Sequence, residues 1–334
     1  MLEIKNRTPF PALVVPALDM DGVEQAVVVF KSTYSLRGQD LSPADKQAPL
    51  VLADTHHGEP GKSSIKYASD LSPAKPGTDV VLIGHAHAPS APATVLDVDL
   101  RVGPLRKVVR VYGDRYYYKS ISSYGISGPT RFTKIPLVYE RAFGGVDDSH
   151  ADPGAHEREA RNDVGMGFVA ARSARDLEGA PLPNLEDPND LIDGPTSRPA
   201  PACFGFTARH WAPRARLAGT YDARWEAERS PFLPLDFDPR YHHGAHPDLI
   251  SPRPLRGGEP VTITHVSPYG GPIQFTLPPR QFEVTAQIKG SPLTAVPQLD
   301  TVVIEPDEDR VMLTHRAVIR CPKTFLYIDW VEIV

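Results

Sequence analysis

Val95-Leu96-Asp97-Val98-Asp99-Leu100-Arg101-Val102, then Gly103-Pro104, then Lys107-Val108-Val109-Arg110-Val111-Tyr112: this stretch decides the fold class of the chain. Val95, Asp97, Asp99 and Arg101 alternate with Leu96, Val98, Leu100 and Val102. Successive side chains of an extended backbone point to opposite faces, so a period of two predicts a strand with one wet face. Gly103-Pro104 turns the chain and the second run returns along the first, as an antiparallel meander requires. The basic residues from Arg101 to Arg110 read as the solvated side of these strands.

The same pattern recurs outward in both directions. Residues 26–36 are rich in β-branched and aromatic side chains and end at a turn, Arg37-Gly38. Residues 79–87, after Lys75-Pro76-Gly77, read as one buried strand. Val261-Thr262-Ile263-Thr264-His265-Val266 and Ile273-Gln274-Phe275-Thr276-Leu277 flank Pro268-Tyr269-Gly270-Gly271, a hairpin signal. Thr301-Val302-Val303-Ile304, a charged turn over 306–309 and Arg310-Val311-Met312-Leu313-Thr314 make another, and residues 325–334 alternate again. Residues 147–213 differ: they combine Asp, Asn, Arg, Pro and Gly, with only weak helix signals over 155–161. Phe204, Phe206 and Trp211 argue that this segment is ordered rather than a free linker.

The expected architecture is mainly β, with two antiparallel sheet units, sandwich- or barrel-like, joined by a long loop-rich segment with little helix. Its expected limits are an N-terminal β domain over 1–146, a loop-rich crossover packed on both units over 147–256, and a C-terminal β unit over 257–334. The 36 prolines among 334 residues agree, because Pro is excluded from long helices and central strands.

Composition narrows the function classes. A net charge of −5 supplies no electrostatic footprint for nucleic acid. No apolar run approaches the roughly 20 residues needed to cross a bilayer. Met1-Leu2-Glu3-Ile4-Lys5-Asn6 lacks the pattern of a secretory signal, and two cysteines, Cys203 and Cys321, make no disulfide framework. A soluble cytoplasmic protein is the expectation.

Catalytic signals are sparse. Gly165-Met166-Gly167-Phe168-Val169-Ala170 fits the dinucleotide fingerprint formally, but no strand precedes it. His156-Glu157 starts like a zinc-protease motif, and Ala160 stands where the second His belongs. No nucleophile elbow or phosphate-binding loop occurs, and Cys203 has no activating base nearby in sequence. His85-Ala86-His87 is sharper. Alternate strand residues share a face, so these two imidazoles are the candidate metal ligands of a metal-dependent hydrolase, with His56, His57, His242, His243 and His246 available to complete a site. Strand-end histidines at the surface are the plainer reading.

From Lys75-Pro76-Gly77-Thr78-Asp79-Val80 onward, a series of motifs resembles one family. It includes Asn6-Arg7-Thr8-Pro9-Phe10, Tyr67-Ala68-Ser69-Asp70-Leu71, Gly113-Asp114-Arg115 and Tyr139-Glu140-Arg141-Ala142-Phe143-Gly144-Gly145. Leu182-Pro183-Asn184-Leu185-Glu186, Trp211-Ala212-Pro213-Arg214, Gly219-Thr220-Tyr221-Asp222 with Trp225, and Leu233-Pro234-Leu235-Asp236-Phe237-Asp238 follow. The chain resembles, over residues 1–279, a bacterial domain of unknown function encoded in type VI secretion gene clusters. Asn162-Asp163-Val164-Gly165 departs from it, since the family has Pro after this Asn. The resemblance implies a non-catalytic adaptor or chaperone without a cofactor. Its partners would be a toxin effector, often bearing a spike-tip domain of proline-alanine-alanine-arginine repeats, and the trimeric spike of the secretion machine.

The motif residues Lys75, Asp79, Arg115, Glu140, Arg141, Gly144, Gly145, Trp211, Arg214, Asp222 and Trp225 read first as a scaffold for long loops: guanidinium–carboxylate pairs and glycine turns pin backbone that has no ladder. Partner contact is expected from Tyr116, Tyr117 and Tyr118, and from Phe232, Phe237, Arg240 and Tyr241, because Tyr, Phe and Arg dominate interface anchors. Core aromatics and solvated arginines are the ordinary alternative for each.

Overall fold

The computed structural model describes residues 2–36, 41–89, 91–121, 123–279, 282–321 and 324–334. The turn expected at Arg37-Gly38 lies outside them. The expected meander is present: Val95–Val102 pairs antiparallel with Leu105–Tyr112, Asp99 facing Val108. Leu96, Val98, Leu100 and Val102 are buried, while Asp99 holds Arg101 and Arg106 in water. Lys107 departs from the solvated-face expectation. It falls on the inner side of its strand and reaches Asp248 at 3.0 Å with its side chain almost fully buried.

The meander is the centre of a five-stranded antiparallel sheet ordered Leu185–Glu186, Leu105–Tyr112, Val95–Val102, Pro260–Ile263, Ile273–Thr276. The larger sheet runs Ile250–Ser251, Thr78–Leu82, Gln298–Glu305, Arg310–Arg320, Glu24–Ser35, Ala12–Leu18, with Ser42–Pro43 added beside Glu24–Ser35. A four-stranded sheet, Glu3–Asn6, Ile328–Ile333, Val284–Ile288, Ser291–Ala295, completes the main framework. The architecture is mainly β, with several antiparallel sheets and no closed barrel.

Strands from the two ends of the sequence are not partitioned between sheets. Glu24–Ser35 pairs with Arg310–Arg320 along its length, and Thr78–Leu82 runs parallel to Gln298–Glu305. Two cores follow. Val80, Leu82, Val302 and Ile304 of the large sheet pack with Val98, Leu100, Val109 and Ile263 of the five-stranded sheet. Ala26, Val28, Phe30 and Ile319 pack with Val284, Val331 and Ile333 of the four-stranded sheet. Along Glu24–Ser35 the two cores share the strand by position: Ala26, Val28 and Phe30 belong to the second, and Tyr34, near its far end, to the first.

Residues 79–87 do not form the single strand expected. The chain breaks at Ile83-Gly84, and His85–His87 pairs instead with Lys134–Pro136. The weak helix signals over 155–161 yield a 3-10 turn, Pro153–Ala155, and a two-residue strand, Glu157–Arg158. Only two α-helices occur among the described residues, Ala212–Ala215 and Ala223–Glu228. The loop-rich middle is anchored by Phe204, Phe206 and Trp211, all buried in the main core.

Candidate protein-binding surface

The motif arginines make internal bonds. Arg115 is buried against Glu186 and the Pro183 carbonyl, and Arg141 donates to Asn184 Oδ1 at 2.7 Å. Glu140 accepts from the Ser64 N–H and hydroxyl, each at 2.7 Å. Gly144, at φ +153°, could not be replaced: a Cβ there would lie 2.1 Å from the Asn162 carbonyl oxygen. Asn162 donates to the carbonyls of Tyr139 and Phe143, so the loop that departs from the family pattern is held from its first residue. Trp211 donates to Asp163 at 2.9 Å, and Asp222 caps the helix Ala223–Glu228 by accepting from Trp225 N–H.

Lys75 and Asp79 belong to a buried ionic network whose other members the sequence reading missed. Lys75 Nζ lies 2.8 Å from Asp79 Oδ2 and 3.9 Å from Asp300. Asp79 also accepts from the Gly244 N–H and faces His243 Nδ1 at 2.6 Å. Asp300 holds Arg316 Nε at 2.6 Å, and Arg316 in turn donates to the carbonyls of Asp70 and Ser72. Asp70 pairs with buried Lys31. Burial would raise the Asp79 carboxyl, but Lys75, His243 and the Gly244 N–H outweigh it and hold the group well below the usual range. Lys31, Arg316 and Asp300 sit on central strands, where apolar side chains are the rule, and that mismatch was the available signal.

His85 and His87 do share a face. Both meet one carboxylate: His85 Nδ1 is 2.5 Å and His87 Nε2 3.3 Å from Asp307, a residue of the turn between Gln298–Glu305 and Arg310–Arg320. His57 lies within electrostatic reach of His85 and Glu140. His243 is taken up by Asp79, and His246 lies 3.5 Å from Asp248. Among the described residues no three His, Cys, Asp or Glu side chains are grouped to hold a metal ion. Cys203 is buried and donates to the Leu137 carbonyl, and burial pushes its thiol up to about 12.

The residues expected to face a partner divide. Tyr117 is buried in a small satellite core with Phe143 and Phe168, while Tyr116 and Tyr118, on its opposite face, are exposed. Phe237 is buried against Tyr241 and His242; Tyr241 is half-buried, and Arg240 is exposed and paired with Asp238. Phe232 is exposed and belongs to an arm over 219–238 that buries no residue of its helix Ala223–Glu228. Trp225 Nε1 donates to the Phe232 carbonyl at 2.9 Å, Arg229 donates to the carbonyls of Leu233 and Met20, and Tyr221 packs edge-on against Trp225. These bonds fix the arm while leaving Tyr221 54% and Leu235 79% exposed beside Phe232. A depression of about 410 Å³ lies between Trp225, Pro234 and Leu235. Tyr221 and Leu235 both stand inside motifs that the sequence showed, without periodic partners to bury them.

Open sheets, loops pinned by internal ion pairs and an exposed apolar arm describe a mainly β chain with little helix. A family model described as uncharacterized protein conserved in bacteria (DUF2169) matches residues 21–316, and the chain belongs to that family. The match begins later than the motif likeness and runs further, into the strand Arg310–Arg320. No curated protein and no solved structure matches the chain. Among the described residues no helix is long and apolar enough to cross a membrane.

Proposed function

We propose that this protein is a non-catalytic adaptor or chaperone, acting in the cytoplasm, that binds a type VI secretion toxin effector and assists its loading onto the trimeric spike. The family description gives no role; the motif likeness supports the secretion context, and one structural observation carries the binding reading. That observation is the arm over 219–238, which holds Tyr221 and Leu235 in water on a fixed backbone, beside a Phe232 ring that lies over Gly22 and keeps one edge exposed. Large apolar side chains kept exposed on an ordered element favour a partner surface, because their burial on binding is favourable and little chain entropy is lost.

The test is co-purification of the tagged chain with the toxin effector encoded beside its gene. The variant Phe232→Glu/Leu235→Glu is expected to weaken capture at least about 30-fold, since anchor residues commonly contribute 2 kcal/mol or more each. Leu235→Glu alone, at a residue 79% exposed, should keep its thermal midpoint within about 2 °C of wild type, whereas Phe232→Glu also removes the ring that covers Gly22. Undiminished capture by the double variant removes the arm from the interface. Failure of the wild-type chain to bind effector or spike overturns the adaptor reading.

A further inference from the structure

The guanidinium of Arg214 is in an unusual position for a charge. Its residue is 8% exposed, yet among the described residues none of its hydrogen bonds is to a carboxylate, and Asp79 and Asp54 act on it only through space. It donates through Nη1 to the Thr207 carbonyl at 2.7 Å, and through Nε and Nη2 to the Tyr241 carbonyl at 3.2 and 3.1 Å. A guanidinium carries five N–H donors, so two remain. Neutral carbonyls satisfy donors but do not neutralise the charge, and buried cations are ordinarily paired.

Arg214 lines two cavities and is the residue their linings share. The first, about 410 Å³, is polar at its rim, where Arg209, His242, Tyr241 and Asp54 meet. Arg209 is exposed and forms no ion pair with a described residue. Burial, followed by the fields of Arg214 and Arg209, pulls His242 down to about 4, so its imidazole adds no charge at neutral pH. Two guanidinium groups against the single Asp54 carboxylate leave this cavity one formal positive charge, which suits a monoanion better than a dianion. The second cavity, about 320 Å³, is lined mainly by Pro76, Pro213, Leu217, Ile250 and Pro252, with Thr207, Arg240 and His243 at its polar part. It offers an apolar side chain a place out of water.

We propose that Arg214 and Arg209 bind the C-terminal carboxylate of a partner polypeptide, whose last, apolar side chain enters the cavity walled by Pro213, Leu217 and Ile250. Charge complementarity selects the carboxylate, and geometry selects its source. Arg214 is the one residue lining both cavities, so a ligand that uses both carries its carboxylate and its apolar group close together. A terminal residue meets that condition, since both groups branch from its Cα. An internal Asp or Glu places its apolar neighbour on an adjacent residue that points elsewhere. A paired guanidinium fork also suits a carboxylate better than a lone ammonium would. The site is separate from the exposed arm and does not depend on the partner being a secretion effector.

The experiment titrates the full-length, 15N-labelled chain with three probes and follows its NMR signals. N-acetyl-L-leucine carries a terminal carboxylate and an apolar side chain; N-acetyl-L-leucinamide lacks the carboxylate; N-acetyl-L-glutamic acid α-amide carries the carboxylate on its side chain. The first is expected to saturate with a Kd on the order of 1 mM, as its few heavy atoms allow. The other two should bind at least about tenfold more weakly. Arg214→Met risks unfolding because the side chain ties Thr207 to Tyr241, so Arg209→Met is the decisive variant; it should weaken N-acetyl-L-leucine at least about threefold, as loss of one exposed charge predicts. Equal binding of the leucinamide, or unchanged affinity in Arg209→Met, overturns the site. Tighter binding of the glutamate probe, or displacement by equimolar inorganic phosphate, overturns the assignment of its occupant.

Discussion

Asp79→Ala is expected to destabilise the protein by about 3–5 kcal/mol, the usual cost of removing one partner from a buried ion pair. The size follows from what the carboxylate leaves behind. Lys75, with 7% of its side chain exposed, would keep Thr301 Oγ1 at 2.7 Å and Asp300 only at 3.9 Å. His243 and the Gly244 N–H would lose their partner in a site closed to water. These groups come from three places, the loop before Thr78–Leu82, that strand itself and the 239–246 segment, so one substitution loosens the join between the large sheet and the loop-rich middle. Chemical denaturation should show a lower midpoint at unchanged slope. The double variant Lys75→Met/Asp79→Leu should lose less than Asp79→Ala alone, because it removes the charge that the single change strands. A loss below about 1 kcal/mol in Asp79→Ala would mean that the network is hydrated and contributes little.

The second large effect is acid sensitivity well above the carboxylate range. Burial, reinforced by Arg214 for His242 and by Lys107 for His246, pulls both imidazoles from an ordinary value near 6.5 to about 4. The unfolded chain therefore binds more protons than the folded one between these values. Stability contributed by the neutral rings is fully present above about pH 6.5, falls as pH drops from there, and is gone near pH 4. The ceiling is about 3 kcal/mol for each ring, since one pH unit corresponds to about 1.4 kcal/mol. The lowered carboxyls of Asp79 and Asp300 add their own loss only at lower pH, so the two windows are separable. Denaturation midpoints between pH 7 and 4.5 should fall steeply in wild type and less steeply in His242→Asn, which cannot take up the proton. Parallel profiles would show that His242 is not held neutral by its surroundings.

Legibility differed by kind of feature. The hairpins were readable because their evidence is local: alternation on either side of Gly103-Pro104, or of Gly270-Gly271, specifies both strands and their turn within about twenty residues. The break at Ile83-Gly84 was not, since an apolar run looks the same whether its strand continues or crosses to another ladder. Lys107 was misplaced because its charge was read as solvated although the two-residue period groups it with Val109 and Val111, and Asp248, 141 residues later, makes that buried position acceptable for a cation. The patch residues illustrate the same limit. Tyr117 and Phe237 are chemically indistinguishable in sequence from Tyr118 and Phe232, and only packing separates the buried pair from the exposed one.

What the chain's order of residues established unaided was a mainly β architecture with many short elements and little helix. Those conclusions rest on period, turn chemistry and side-chain size, all properties of neighbouring residues. The pairing of Glu24–Ser35 with Arg310–Arg320, the meeting of Lys75, Asp79, Asp300 and Arg316, and the paired cavities at Arg214 emerged from three-dimensional packing. Their partners are separated by up to hundreds of positions, and burial and charge compensation are set by whatever the folded chain brings alongside.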